Sequence, residues 1–199
     1  MRGSLEDTLK SIWRVLESLG YRPVVVGTYA LILQGWLPHD YLYETKDVDL
    51  YVDNPIVVFD ERVEEALISR GLPMGRSEAG RLYVEAAKPV EIVYPVHGIY
   101  VPTTLLGHVV SVRGLRVLEG HAVLVAKALG SSIEHLAGAI QLMGVRVDEE
   151  RLRSLLEGVA GEVDPAEYSV ATRRVEAFLR RYRAASTSGY EEGVMQGEG

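Results

Sequence analysis

The segment Lys46-Asp47-Val48-Asp49-Leu50-Tyr51-Val52 constrains this chain more than any other. Val48, Leu50 and Val52 alternate with Asp47, Asp49 and Tyr51, which is the period of a β-strand with one buried face. Such a strand turns both carboxylates to the same side while the apolar residues enter the core. Like charges side by side on a strand repel unless a cation lies between them. A magnesium ion, which takes a few carboxylates together with phosphate oxygens, answers that repulsion. Upstream, Val24-Val25-Val26 reads as a buried strand within Tyr21–Val26. Gly27 breaks it, and Thr28 is placed to cap a helix running through Leu31, Ile32 and Leu33.

A hydrophobic strand, a small-residue turn, a helix and then Asp-hydrophobic-Asp-hydrophobic on the next strand resembles the nucleotidyltransferase superfamily of the DNA polymerase beta type. Within it the chain looks most like small prokaryotic nucleotidyltransferase-like proteins related to toxin–antitoxin components. The resemblance covers roughly the first two-thirds of the chain. It implies an α+β fold, a mixed sheet with flanking helices followed by a C-terminal helical region. It also implies that Gly27 and Thr28 hold the phosphates of a nucleoside triphosphate, and that Asp47 and Asp49 bind catalytic metal, Mg2+.

The same resemblance asks for a third acidic residue on a later strand. Glu85, in Leu82–Ala86, and Glu91, in Val90–Val96, both qualify, and Lys88-Pro89 between them reads as a hairpin turn. Glu91 is preferred because Val90 and Ile92 flank it. Its implied role is to bind metal and to help deprotonate the attacking hydroxyl. Lys127, inside the apolar helix His121–Leu129, stands by resemblance where a lysine contacts phosphate or supports the carboxylates. The pattern also departs from the family. Thr28 replaces a glycine or serine, the connection to Asp47 is long, and Tyr43 and Lys46 stand where relatives carry an arginine.

The expected reaction is Mg-dependent transfer of a nucleoside monophosphate to a hydroxyl of a protein, an RNA or a small molecule. The alternative is a weakly active or inactive binding module, such as a toxin–antitoxin component that acts through a partner protein.

Composition narrows the remaining choices. The chain has 199 residues, 47% of them hydrophobic, and a net charge of −7, so bulk capture of nucleic acid by clustered lysine and arginine is not expected. Cysteine is absent, which removes disulfides and thiolate metal sites, and the five histidines show no zinc-ligand spacing. No segment has the length and apolarity of a membrane span and the N-terminus lacks a signal-like core, so a cytoplasmic protein is expected. Heavy use of Val, Leu, Arg and Glu without Cys fits a thermophile. From about Glu119 the period turns helical. The expected organisation is a nucleotidyltransferase-like domain over 1–118, a helical region over 119–183 and a disordered tail over 184–199.

Overall fold

A computed structural model describes residues 4–77, 81–95 and 101–194, with side chains described to residue 186. The regular elements are, in chain order, α1 (Leu5–Ser18), β1 (Val24–Val25), α2 (Gly27–Leu33), β2 (Val48–Tyr51), α3 (Glu61–Ser69), β3 (Met74–Arg76), β4 (Leu82–Val84) and β5 (Val90–Val93). They continue with α4 (Thr103–Leu106), β6 (Val109–Val112), β7 (Leu115–Leu118), α5 (Gly120–Gly130), α6 (Leu136–Leu142), α7 (Glu149–Gly158) and α8 (Pro165–Val194). This is the α+β architecture expected from the sequence. It has one mixed sheet of seven strands, ordered β3-β4-β5-β2-β1-β7-β6, with the last helices gathered at the C-terminal end of the chain.

Local chemistry explains most of these boundaries. Ser4 caps α1 by accepting the Asp7 N–H, and Leu5, Leu9, Ile12, Trp13 and Leu16 form its buried stripe. Gly20 ends it with φ +88, and the Tyr21 N–H closes back onto the Leu16 carbonyl at 2.9 Å. Asp60, Glu119 and Asp148 cap α3, α5 and α7 through their carboxylates. Asp164 accepts the Ala166 N–H at 2.8 Å just before Pro165 opens α8.

The centre of the sheet sets the register that matters. β1 pairs antiparallel with β2 and parallel with β7, through Val25 opposite Leu50 and Val25 opposite Val117. β2 and β5 run parallel, with Val48 opposite Val90, Asp49 opposite Glu91 and Leu50 opposite Ile92. Their apolar residues Val48, Leu50, Val90 and Ile92 are fully buried, so a slip of one residue would turn valine outward and carboxylate into the core.

Several elements differ from the sequence pattern. Met74–Arg76 forms β3, paired antiparallel with β4. It has no apolar alternation to announce it. Main-chain bonding holds it, and Gly75 lies under the Tyr83 ring, where a Cβ would come within 2.5 Å of the phenolic oxygen. Val101 and Pro102 lead into the short α4. Val96, His97, Tyr100 and residues 195–199 lie outside the described residues. α8 continues past residue 183 to Val194.

The helical part does not stand apart from the sheet. α5 packs on α2, and both α6 and α8 pack on α5 or on each other. One apolar cluster runs from Leu5 in α1 to Leu179 in α8. His121 joins the parts further. Buried at the start of α5, it meets Trp36 edge-on at 4.8 Å, its Nδ1 lies 2.7 Å from Glu119, and its Nε2 accepts the Asp148 N–H at 3.0 Å. Among the described residues, no helix is long and apolar enough to cross a membrane.

Phe178, fully buried on α8, tests this shared core. Phe178→Ala is expected to lower stability by ~3–5 kcal/mol, seen in urea titrations as one cooperative transition displaced to lower denaturant. Separate unfolding of sheet and helices would contradict a common core.

Candidate metal and phosphate site

β2 and β5 bring three acidic side chains to one place. Asp47 immediately precedes β2, Asp49 lies within it, and Glu91 stands opposite Asp49 on β5. A carboxylate oxygen from each lies within 4.8 Å of the other two. Parallel pairing at this register leaves adjacent side chains on the same face, so the cluster follows directly from the strand alternation. Glu85 is not part of it. It is exposed beyond β4, with its N–H bonded to the Pro73 carbonyl at 2.8 Å.

Gly27 closes one side of the cluster. Its φ is +68, in the left-handed region, and a Cβ there would sit 2.5 Å from an Asp49 carboxylate oxygen. The residue is therefore fixed as glycine by backbone conformation and by close approach together. The preceding Val26 donates its N–H to the Asp49 carbonyl at 3.1 Å, tying the turn to β2. Thr28 does not cap α2 as the sequence suggested. The helix starts at Gly27, with Val26, two residues before Thr28, in the cap position and no side-chain cap bond. The Thr28 hydroxyl instead accepts a hydrogen bond from Lys127 Nζ at 3.1 Å. Lys127 thus reaches from α5 across to the turn rather than out to solvent.

Arg81 is the site residue that sequence reasoning missed. Its Nη1 donates to Glu91 Oε2 at 2.8 Å, with the two side chains 33% and 14% exposed. The signal was present in the register: Tyr83 is opposite Glu91 on the β4–β5 ladder, so Arg81, two residues earlier on the same face, is its diagonal neighbour. Gly27, Asp49, Arg81 and Lys127 line a common cavity of about 280 Å³, closed on the other side by Val101, Val163 and Glu167.

The electrostatics follow from this crowding. Burial, then the charges of Asp47 and Glu91, push the Asp49 carboxyl up to about 6, against the pull of Lys127 and Arg81. Burial and the charge of Glu91 also raise Asp47. Burial lowers Lys127, partly offset by Asp49 and Asp47. The site is short of positive charge, and its donors are hard carboxylate oxygens. Both properties fit a hard dication such as Mg2+.

The profile of a family described as "Nucleotidyl transferase of unknown function (DUF2204)" matches residues 5–167. No curated protein matches the chain. Among solved structures, JHP933 from Helicobacter pylori is 14% identical, with 96% of each chain covered and a TM-score of 0.42. The antibiotic-resistance factor ANT(2'')-Ia in solution is 12% identical, covering 93% of this chain and 96% of that one, with a TM-score of 0.42. The same factor in complex with adenylyl-2''-tobramycin is 13% identical, covering 88% and 97%, with a TM-score of 0.41.

The raised Asp49 has a consequence for stability. Between its ordinary 3.8 and about 6 the folded protein keeps a proton that the unfolded chain has released. Metal-free stability therefore falls as pH rises through that window and stays reduced above it. Asp49→Asn is expected to remove the loss and to stabilise the metal-free protein at about pH 7 by ~1–3 kcal/mol. Thermal melts in chelator from about pH 4 to about pH 8 check this. Parallel curves for the two proteins would contradict it.

Proposed function

The chain belongs to the nucleotidyl transferase family whose profile spans residues 5–167, and from that membership we propose that it transfers a nucleoside monophosphate from a Mg-bound nucleoside triphosphate to an acceptor hydroxyl. The observation that carries this reading is the convergence of Asp47, Asp49 and Glu91 within 4.8 Å beside the Gly27 turn. A complete set of three carboxylates favours a working transferase over an inactive binding module.

In this reading Asp47, Asp49 and Glu91 hold Mg2+, which supplies charge neutralisation at the transferring phosphate when bound. Gly27, without a side chain, lets phosphate oxygens approach the main chain. Thr28 and Lys127 act as a pair. The hydroxyl fixes the ammonium at the turn, and the ammonium offers its remaining protons to phosphate. The acceptor oxygen bonds to the α-phosphorus, the bond from that phosphorus to the bridging oxygen breaks, and pyrophosphate leaves. The acceptor proton passes to a carboxylate of the cluster, with Glu91 in that role. Positioning and charge stabilisation account for most of the rate. The net charge of −7 argues against a long polyanion as acceptor and leaves a protein or small-molecule hydroxyl favoured over RNA.

Calorimetry with ATP or GTP, with and without Mg2+, tests the binding half of the proposal. Nucleotide binding is expected to require metal and to be lost in Asp49→Ala. Pyrophosphate release with candidate acceptors tests the chemistry, and the same substitution is expected to slow it on the order of 100-fold or more. Binding that ignores both metal and substitution would remove the proposal.

A further inference from the structure

We propose that Arg81 is a relay cation. It occupies Glu91 while the site holds no metal and moves to the triphosphate once metal takes the carboxylates. The inference rests on the nucleotidyl-transfer reading above and assigns a residue that reading does not use.

Three observations carry it. First, the guanidinium already stands in the cluster as a cation, with Nη1 2.8 Å from Glu91 Oε2. A dication bound by Glu91 meets that positive charge at the same carboxylate, so the two occupants compete. Second, Arg81 has somewhere to go. It lines the same cavity as Gly27 and Lys127, where phosphate would lie, and among the described residues lining that cavity these two side chains are the only cations. A planar guanidinium with several fixed donors suits phosphate oxygens as well as it suits a carboxylate. Third, its backbone is held in place. Arg81 N–H donates to the Ser77 hydroxyl at 3.1 Å, and Ser77 N–H donates to the Arg81 carbonyl at 2.9 Å. These bonds tie the Arg81 main chain to Ser77 while the guanidinium stays free of them.

The arrangement also accounts for a departure in the sequence. The stretch before Asp47 supplies no arginine, and Lys46 there is exposed. Arg81 delivers a guanidinium to the same cleft from just before β4. The ordered consequence is that metal and nucleotide enter together. Glu91 is released to the metal when the phosphates give Arg81 another partner.

The test uses Mn2+ as metal probe and a non-hydrolysable ATP analogue, with full-length wild type, Arg81→Ala and Arg81→Lys. Electron paramagnetic resonance counts free Mn2+, and calorimetry follows the analogue. Removing the competing guanidinium is expected to tighten Mn2+ binding without nucleotide by about tenfold in Arg81→Ala. The same variant is expected to bind the Mn-analogue complex about tenfold more weakly. Arg81→Lys, which keeps a charge but loses the fork, falls between the two for both ligands. These opposite shifts cannot come from a merely damaged fold, which weakens both. Shifts of the same sign, or no shift, overturn the relay. If wild type binds neither Mn2+ nor the analogue, the nucleotidyl-transfer reading itself falls. If it binds both and the Arg81 variants behave like it, only the relay falls.

Discussion

Repulsion among three carboxylates is the constraint around which this structure is arranged. Strand register creates it: parallel pairing of β2 with β5 sets Asp49 directly opposite Glu91, with Asp47 at the strand entrance. The buried valines, leucine and isoleucine of the same strands lock that register, since slipping by one residue would bury the acids. The apolar core therefore holds the acidic side chains in a geometry they would not choose alone. Asp49 records the tension most directly, with its carboxyl pushed up to about 6 by burial and by its acidic neighbours.

Two cations relieve part of that repulsion, and they arrive from opposite sides of the chain. Arg81 comes from the residue just before β4 and Lys127 from α5 in the helical part. α5 packs against α2, and across that contact the Lys127 ammonium reaches Thr28. The helical region is thus part of the site rather than an appendage. Val163 and Glu167, at the entry to α8, complete the cavity wall facing Asp49 and Gly27. The cavity is thus lined by residues of the sheet and of the helical part together.

Much of this was legible in the chain because it obeyed short-range rules. Alternation around Asp47, Asp49 and Glu91 marked which side chains share a face, and Gly27 announced a turn that only glycine tolerates. The Ser, Asp and Gly residues that bound the helices did so for capping reasons visible in sequence. The less legible features depend on contacts across the fold. Thr28 reads as a helix cap, yet the helix already starts at the left-handed Gly27, with Val26 as its cap, and the Thr28 hydroxyl bonds to Lys127. β3 has no pattern of its own and exists because β4 offers it main-chain partners. Arg81 needed the hairpin register before its diagonal to Glu91 could be drawn. The choice of Glu91 over Glu85 rested on flanking residues, and the geometry now supplies the stronger reason. Of the two, Glu91 is the one whose carboxylate lies within 4.8 Å of those of Asp47 and Asp49.

The central claim is that one metal–nucleotide site joins the carboxylate cluster to the Gly27 turn. Its most direct test is a crystal structure grown with Mn2+ and a non-hydrolysable nucleoside triphosphate, phased to show the metal by anomalous scattering. The account predicts anomalous density among Asp47, Asp49 and Glu91, with phosphate density against Gly27 and Thr28. Metal bound elsewhere with this cluster empty, or a nucleotide remote from the turn, would contradict it.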